Sequence, residues 1–328
     1  MSIPLRECTF GVQMHPALSI IFFTTSSGAG FALLTLLGLG VPLGLLPLNE
    51  SFATAALAIA ALFAAGGLAS SVFHLGRPER AWRAFSQWRS SWLSREGVLA
   101  VLTSLPAAVF GIGWVFFGTT QGLIGLCGIL AAALAVATIY CTGMIYASLK
   151  PIHQWHNRWV VPNYLVLALM SGCLVLDFLI RLWSARYAGI ALLTSIVVLG
   201  AWWMKERYWR LIDTTSARST VASATSLGSR GRVRMLEAPH TEENYLLKEM
   251  GFRIARKHRR RLRRIARLAG FAVPAVASIS GLMLGGMAGG IAAGLGVVSA
   301  ALGLIAERWL FFAEAKHTVV LYYGANVA

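Results

Sequence analysis

Charged residues are scarce in this sequence, and acidic residues are the scarcest. Asp, Glu, Lys and Arg make up 13% of the 328 residues, and there are only 13 Asp and Glu against 29 Lys and Arg. A soluble globular protein devotes about a quarter of its residues to charge, so a soluble globule is excluded. The 57% hydrophobic content instead indicates a membrane protein, and the positive excess favours anionic partners.

Cysteine motifs and nucleotide motifs are also missing. The four cysteines, at positions 8, 127, 141 and 173, share no CxxC spacing, so we predict neither an iron–sulfur cluster nor a metal site within this protein. Gly28-Ala29-Gly30 lies in a long apolar run and lacks the strand and third glycine of a dinucleotide fold. Basic runs without base-reading geometry are weak evidence for nucleic acid, which we do not expect as a partner.

Long apolar runs dominate what is present. A spanning helix needs roughly 20 mostly apolar residues, and eight runs meet this length, whereas the alternating pattern of a β-barrel is not seen. The predicted fold is therefore all-α, a polytopic bundle of eight transmembrane helices. The small-residue spacing of Gly286, Gly290 and Gly294 predicts a close helix contact. The predicted spans are 16–38, 51–73, 96–117, 121–147, 161–182, 187–204, 269–287 and 289–311.

Lys and Arg fall mostly on one side of these spans. Short loops rich in positive charge stay cytoplasmic, so we predict a multi-pass protein of the bacterial inner membrane with both termini in the cytoplasm. The sequence divides into 1–204 with six helices and the candidate site, a basic cytoplasmic loop at 205–268, and 269–328 with two helices and a tail. On the opposite side, the i,i+4 spacing of Asp177 and Arg181 predicts an ion pair.

The loop between helices 6 and 7 carries 17 Lys and Arg against 6 Asp and Glu over positions 205–267. We expect its first part, 213–234, to be an irregular tether, because it is rich in Ser, Thr, Gly and Arg without apolar periodicity. We expect its second part, 241–267, to be helical. Anionic lipid and an acidic partner subunit are the two interpretations of its basic run.

The segment between the second and third spans combines His, Arg, Trp and Glu at one membrane boundary. His74 ends the second span and Glu96 begins the third, so a segment folded back along the membrane surface would bring them together. Reduction of a quinone needs a hydrogen-bond donor for a carbonyl and carriers for two protons. Imidazole and a poorly hydrated carboxyl group suit these two roles. We therefore predict a quinone site, with a donor at His74 and a proton relay at Glu96.

Four further residues complete the predicted quinone site. Arg77 and Arg308 would tune its charge, and His317 lies close to Arg308 in the sequence. Trp82 would either line the slot or belong to an aromatic belt at the interface. The residues predicted to dock the partner are Arg80, Arg83, Arg256 and Arg260.

Three other functional classes stay open at this point: a haem-binding subunit, a transporter or exporter, and a purely structural tether, which would leave His74 and Glu96 pointing apart. A b-type haem needs two axial ligands facing each other, and His74 could pair with His15 or His317, although no histidine pair lies well inside two helices. The sequence does not favour haem for this reason. A transporter or exporter would predict an internal repeat and paired broken helices, and neither is found in the sequence.

The same residues carry a resemblance to a known family. His-Leu-Gly-x-Pro at 74–78, followed by Arg80, Ala81 and an aromatic residue, then Ser94-x-Glu96, and Arg308-x-x-Phe311-Phe312 near the end, resemble membrane anchor subunits of the DMSO reductase type, the DmsC family. The resemblance implies that His74 and Glu96 belong to a quinone site. Arg77 stands where that family has a small residue.

The resemblance also implies partners. Members of the family anchor a molybdopterin catalytic subunit and a four-cluster, ferredoxin-like iron–sulfur subunit, so clusters and molybdopterin would lie only in those partners. Cytoplasmic termini and a large basic loop resemble the anchor of cytoplasm-facing, quinone-linked sulfite dehydrogenases. The expected function is therefore electron transfer between an iron–sulfur subunit on the cytoplasmic face and the quinone pool, with sulfite oxidised and ubiquinone or menaquinone reduced.

Overall fold

Eight long helices make up most of the protein. The computed structural model describes residues 18–72, 77–183, 188–215, 220–231, 233, 258–316, 318 and 321. Each helix is long and apolar enough to cross the roughly 30 Å hydrocarbon core of a bilayer. The helices are α1 Leu18–Gly40, α2 Glu50–Val72, α3 Trp92–Phe117, α4 Gly122–Ala147, α5 Val160–Trp183, α6 Ala188–Thr214, α7 Arg259–Met283 and α8 Gly286–Ala313.

The eight-helix membrane bundle predicted from the sequence is confirmed. The largest differences lie beside the basic loop, where α6 continues to Thr214 instead of ending at 204 and α7 begins at Arg259 instead of 269. The described part of the predicted tether contains a short helix, Val221–Thr225, with a capping box formed by Thr220 and Ser223. Residues 234–257 lie outside the described part of the protein.

Contacts at the helix ends show an up-and-down arrangement. At one end, which we call the basic end, Ser70 of α2 donates to the carbonyl of Ser19 on α1 over 2.7 Å. At the opposite end, Gln121 donates to the carbonyl of Pro42 over 3.0 Å. The basic end therefore holds the first residues of α1, α3, α5 and α7 and the last residues of α2, α4, α6 and α8.

Small residues allow the closest helix approach, but not at the positions that the sequence suggested. A Cβ atom on Gly303 of α8 would lie 2.0 Å from the backbone nitrogen of Gly270 on α7, so only glycine fits there. A Cβ on Gly286 or Gly290 would meet nothing within 4 Å, and one on Gly294 would meet only the Phe178 ring. Of these three glycines, Gly294 therefore packs closely against α5 as predicted, whereas the prediction is wrong for Gly286 and Gly290.

The predicted ion pair at the opposite end is confirmed. Arg181 donates from Nε to Asp177 over 3.0 Å, and both side chains are buried. Arg181 also donates to the carbonyl of Gly281 over 2.9 Å, so it ties α5 to the end of α7. These bonds satisfy both charges, which is the condition for burying an ion pair. The pair is therefore structural.

Candidate functional site

Glu96 lies in the second turn of α3, where a surface segment holds the helix start in place. Ser91 caps α3 by accepting from the backbone N–H of Ser94. The Ser94 hydroxyl donates to the carbonyl of Ala84 in a 3-10 helix, Pro78–Gln87, which packs along the start of α3. This surface helix is the returning segment that the sequence predicted between the second and third spans.

The Glu96 carboxyl group is almost fully buried. It is 3% exposed and accepts a hydrogen bond from the hydroxyl of Thr142, on the last two turns of α4. An acidic side chain inside a membrane bundle is expensive to bury and marks a functional site by default. No Lys or Arg pairs with Glu96 among the ion pairs of the described residues, so this acid is not part of a salt bridge there.

Aromatic rings fill the space one turn further along α4. Tyr146 stacks on Tyr164 of α5 with ring centroids 5.6 Å apart and meets Phe311 of α8 edge-on at 5.4 Å. Trp155, in the connection between α4 and α5, donates from its indole nitrogen to the carbonyl of Phe311 over 3.0 Å. The Phe311-Phe312 pair noted in the sequence therefore forms one wall of an aromatic cluster at the basic end.

Arg308 lies on this cluster and is 4% exposed. Its guanidinium carbon is 3.8 Å from the centroid of the Tyr164 ring, a close cation–π contact. Its Nη1 is 3.6 Å from Oε2 of Glu307, and Glu307 in turn accepts a hydrogen bond from the buried ammonium of Lys205. Glu96 and Arg308 both lie within electrostatic range of Tyr146, so the structure brings these two predicted site residues into one region.

The sequence did not lead us to expect Lys205 inside the bundle. The predicted sixth span ended at 204, which placed Lys205 in the cytoplasmic loop, but it is 1% exposed and lies 4.1 Å from the Tyr208 ring centroid. The available signal was the pair Tyr208 and Trp209, whose helical spacing continues the buried face of α6 past the lysine.

A second set of ion pairs closes the basic end. Arg263 on α7 donates to Asp213 over 2.5 Å and to Glu314 over 2.7 Å, and Arg267 donates to Glu206 over 2.6 Å. Burial raises the pKa of the Glu314 carboxyl above its ordinary value, although the charge of Arg263 acts to lower it. These pairs fasten the start of α7 to the ends of α6 and α8.

The remaining predicted residues are exposed or lie outside the described residues. Arg77, Arg80, Arg83 and Trp82 are exposed on or beside the surface helix, and Arg260 is exposed at the start of α7. Trp82 is 65% exposed, and the Arg83 guanidinium lies 5.6 Å from its ring centroid. His74, His317 and Arg256 lie outside the described residues.

An apolar cavity of about 210 Å³ lies between α1, α2, α5 and α8. Its rim includes Phe22 and Ile305, which are 51% and 42% exposed, so the cavity reaches the lipid-facing surface. The hydroxyls of Thr25, Ser26 and Ser171 line it, and each donates to a backbone carbonyl. A molecule in this cavity would therefore contact mainly apolar side chains, and none of these three hydroxyls has a hydrogen left to donate to it.

Two histidines at the basic end are hydrogen-bonded locally. His153 lies 2.6 Å from the Thr215 hydroxyl, and His156 lies 2.6 Å from the carbonyl of Ala147. Within the described ranges, no group of three His, Cys, Asp or Glu side chains could hold a metal ion. The histidines that the haem alternative needs, His15, His74 and His317, lie outside those ranges.

Comparison with known proteins identifies the family. A family model described as DMSO reductase anchor subunit (DmsC) matches residues 13–255. The C subunit of the sulfite dehydrogenase of Allochromatium vinosum is 32% identical over 335 residues, covering 94% of the present sequence and 99% of that protein. The C subunit of the anaerobic dimethyl sulfoxide reductase of Escherichia coli is 28% identical over 136 residues, covering 40% of the present sequence and 46% of that protein. No solved structure matches. The protein is therefore a multi-pass membrane protein that belongs to the DMSO reductase anchor subunit family.

Proposed function

We propose that this subunit anchors a molybdenum and iron–sulfur oxidoreductase in the bacterial inner membrane and passes electrons from sulfite oxidation to the quinone pool. The similarity to a sulfite dehydrogenase subunit over nearly the whole of both proteins supports the substrate. The observation that carries the quinone role is the buried Glu96 carboxyl, hydrogen-bonded to Thr142 and next to an aromatic cluster. A scaffold alone has no need of such a group.

A quinone bound near Glu96 would accept two electrons and two protons. Glu96 holds an exchangeable proton in a site from which bulk water is largely excluded, so it serves as the proton donor to a ring oxygen. The Arg308 guanidinium, held between Tyr164 and Glu307, keeps positive charge next to this region and stabilises negative charge that arrives with the electrons. His74, which lies outside the described residues, would donate a hydrogen bond to the second ring oxygen.

Partner subunits would dock at the basic end. The exposed guanidinium groups of Arg80, Arg83 and Arg260 stand at that end of the bundle, where they can meet an acidic surface of the iron–sulfur subunit. The positive-inside distribution of Lys and Arg supports a cytoplasmic location for this end and for both termini. The molybdopterin subunit would bind behind the iron–sulfur subunit.

Replacement of the acid tests the quinone role. Glu96→Gln keeps the size of the side chain and its hydrogen bonding to Thr142 but removes the ionisable proton. General acid catalysis contributes about 10²-fold or more, so we expect sulfite-dependent quinone reduction by the assembled complex in membranes to fall by about that factor. Glu50→Gln, at an exposed position on the opposite end, is the matched control.

Two measurements make the result decisive. Co-purification of the partner subunits checks that each variant assembles, and sulfite oxidation with a soluble electron acceptor checks the catalytic subunit. Both should match the wild type in Glu96→Gln. A variant that assembles normally and reduces quinone at the wild-type rate would remove Glu96 from the mechanism.

A further inference from the structure

A second, much smaller cavity lies beside Thr142. It is about 10 Å³ and is enclosed by α1, α4 and α5. This is near the lower limit for one water molecule, which also needs two to four polar partners. The polar side chains that line the cavity are Thr24, Ser27, Thr142 and Tyr164.

Three of these four hydroxyls already donate their hydrogen elsewhere. Thr24 donates to the carbonyl of Ile20 over 3.0 Å, and Ser27 donates to the carbonyl of Phe23 over 2.7 Å. Thr142 donates to Glu96. Since a hydroxyl has one hydrogen, all three oxygens can only accept from a group in the cavity.

Tyr164 supplies the remaining donor. Its side chain is 2% exposed, and its hydroxyl has no hydrogen-bond partner of normal geometry within the part of the protein that the structure describes. The ring of Tyr146 stacks on that of Tyr164 and the two hydroxyls interact, but the contact does not have the length and angle of a normal hydrogen bond. A buried hydroxyl without a partner costs about 1–3 kcal/mol, so native proteins satisfy such groups directly or through ordered water. The cavity is thus lined by one residue with an unsatisfied donor and by three residues whose hydroxyl oxygens can accept, with room for one small molecule.

We propose that this cavity holds a water molecule that couples Tyr164 to Glu96. The water accepts from the Tyr164 hydroxyl and donates to Thr142 and to Thr24 or Ser27, which gives it three hydrogen bonds. The resulting chain of hydrogen bonds runs from Tyr164 through water and Thr142 to the Glu96 carboxyl, with every hydrogen directed toward the acid. Tyr164 is then a positioning residue for Glu96.

Arg308 strengthens this series of hydrogen bonds at its far end. The guanidinium over the Tyr164 ring favours electron withdrawal from the phenol oxygen, which makes the hydroxyl a better donor. Arg308, which lies beside Glu307 on α8, is thus linked to Glu96 on α3 through Tyr164, water and Thr142. Among the described residues, neither Arg308 nor Glu307 forms an ion pair with Glu96.

Infrared spectroscopy on the assembled complex tests the water directly. The bands of the Glu96 carboxyl group are identified by their loss in Glu96→Gln, and bands of bound water by their shift in H2¹⁸O. We expect Tyr164→Phe to shift the Glu96 bands and to remove one water band. Tyr140→Phe makes the same change on the exposed side of α4, against Trp92, and should leave both unchanged.

A second variant removes the water without removing a donor. A Cβ on Gly28 would lie 3.4 Å from the Cβ of Ala168, an ordinary contact inside the cavity lining. Gly28→Ala should therefore fill the cavity and reproduce the loss of the water band and the shift of the Glu96 bands. Unchanged spectra in either Tyr164→Phe or Gly28→Ala would overturn the proposal.

The effect on turnover rests on the proposed function and is measured separately. Loss of a hydrogen bond of about 1 kcal/mol corresponds to about a fivefold slower quinone reduction in Tyr164→Phe. If Glu96→Gln slows quinone reduction but Tyr164→Phe does not, the quinone role stands and the coupling fails. If neither variant slows it while the infrared shifts are present, the water site stands and the quinone role of Glu96 fails.

Discussion

Lys205 and Glu307 provide a sharp test of how the bundle tolerates charge. Their side chains are 2% and 0% exposed, and the lysine ammonium donates directly to the carboxylate. Lys205→Met keeps the length of the side chain but leaves Glu307 with only Arg308, whose nitrogen is 3.6 Å away. Removing one partner of a buried pair costs about 3–5 kcal/mol. Because Arg308 remains, we expect a value near the lower end, about 3 kcal/mol.

The next residue along the same helix gives a matched control. Glu206 pairs with Arg267 over 2.6 Å, but the side chains are 35% and 40% exposed. A surface pair contributes about 0–1 kcal/mol, so Arg267→Met should cost at most about 1 kcal/mol. The measurement is the unfolding free energy of the purified subunit in mixed micelles titrated with denaturing detergent.

Burial rather than pairing is therefore what separates the two variants. The double variant Lys205→Met with Glu307→Met should cost less than the sum of the single ones, because it removes the charge that each leaves behind. A cost for Lys205→Met no larger than that for Arg267→Met, or single costs that simply add in the double variant, would contradict this expectation.

Two further predictions concern packing and pH. Gly303→Ala should destabilise the bundle by about 1–3 kcal/mol, since the new methyl group would overlap the backbone of Gly270. Gly200→Ala is the control and should leave the stability unchanged, because a Cβ there meets nothing within 4 Å. Equal unfolding temperatures for the two variants would contradict this prediction. Because burial raises the pKa of Glu314 despite the nearby Arg263, the folded protein holds a proton at pH values where the unfolded protein has lost it. The stability contributed by Glu314 therefore decreases as pH rises from the pKa of this group in the unfolded protein to its pKa in the folded protein. Glu314→Gln should flatten the decrease of the unfolding temperature with pH over this range. An unchanged decrease would count against the burial of this acid.

The spans were predicted from the sequence, whereas the ends of α6 and α7 were misplaced. Twenty apolar residues in a row have few alternatives to a spanning helix. A charged residue at the end of such a run can either face water or turn into the bundle. It turns inward only where a side chain of opposite charge is buried beside it. The partner of Lys205 lies 102 positions away at Glu307, and no local pattern announces it.

The candidate site, like the fold, was predicted only in part from the sequence. An acid at the start of an apolar run, after an arginine-rich turn, singled out Glu96, and the structure buries it. Thr142 and Tyr164 were missed, because hydroxyl and tyrosine side chains are common in spanning helices and their spacing carries no signal. Only the packing of α1, α4 and α5 shows that these two residues face one small cavity.

The distribution of buried charge bears on whether turnover would move charge across the membrane. Among the described residues, the buried acidic and basic side chains of the opposite end are Asp177 and Arg181, which satisfy each other. The others lie at the basic end: Glu96, Lys205, Arg263, Glu307, Arg308 and Glu314. A proton crossing the bundle would need relays at the midplane, and the described helices place no ionisable pair there. If Glu96 protonates quinone as proposed, its protons would come from the basic end, where the iron–sulfur subunit is proposed to dock, so electrons and protons would enter from one side and turnover would move no net charge. Proteoliposomes carrying the complex should therefore reduce quinone at a rate that an imposed membrane potential does not change, and a potential-dependent rate would require a second proton path.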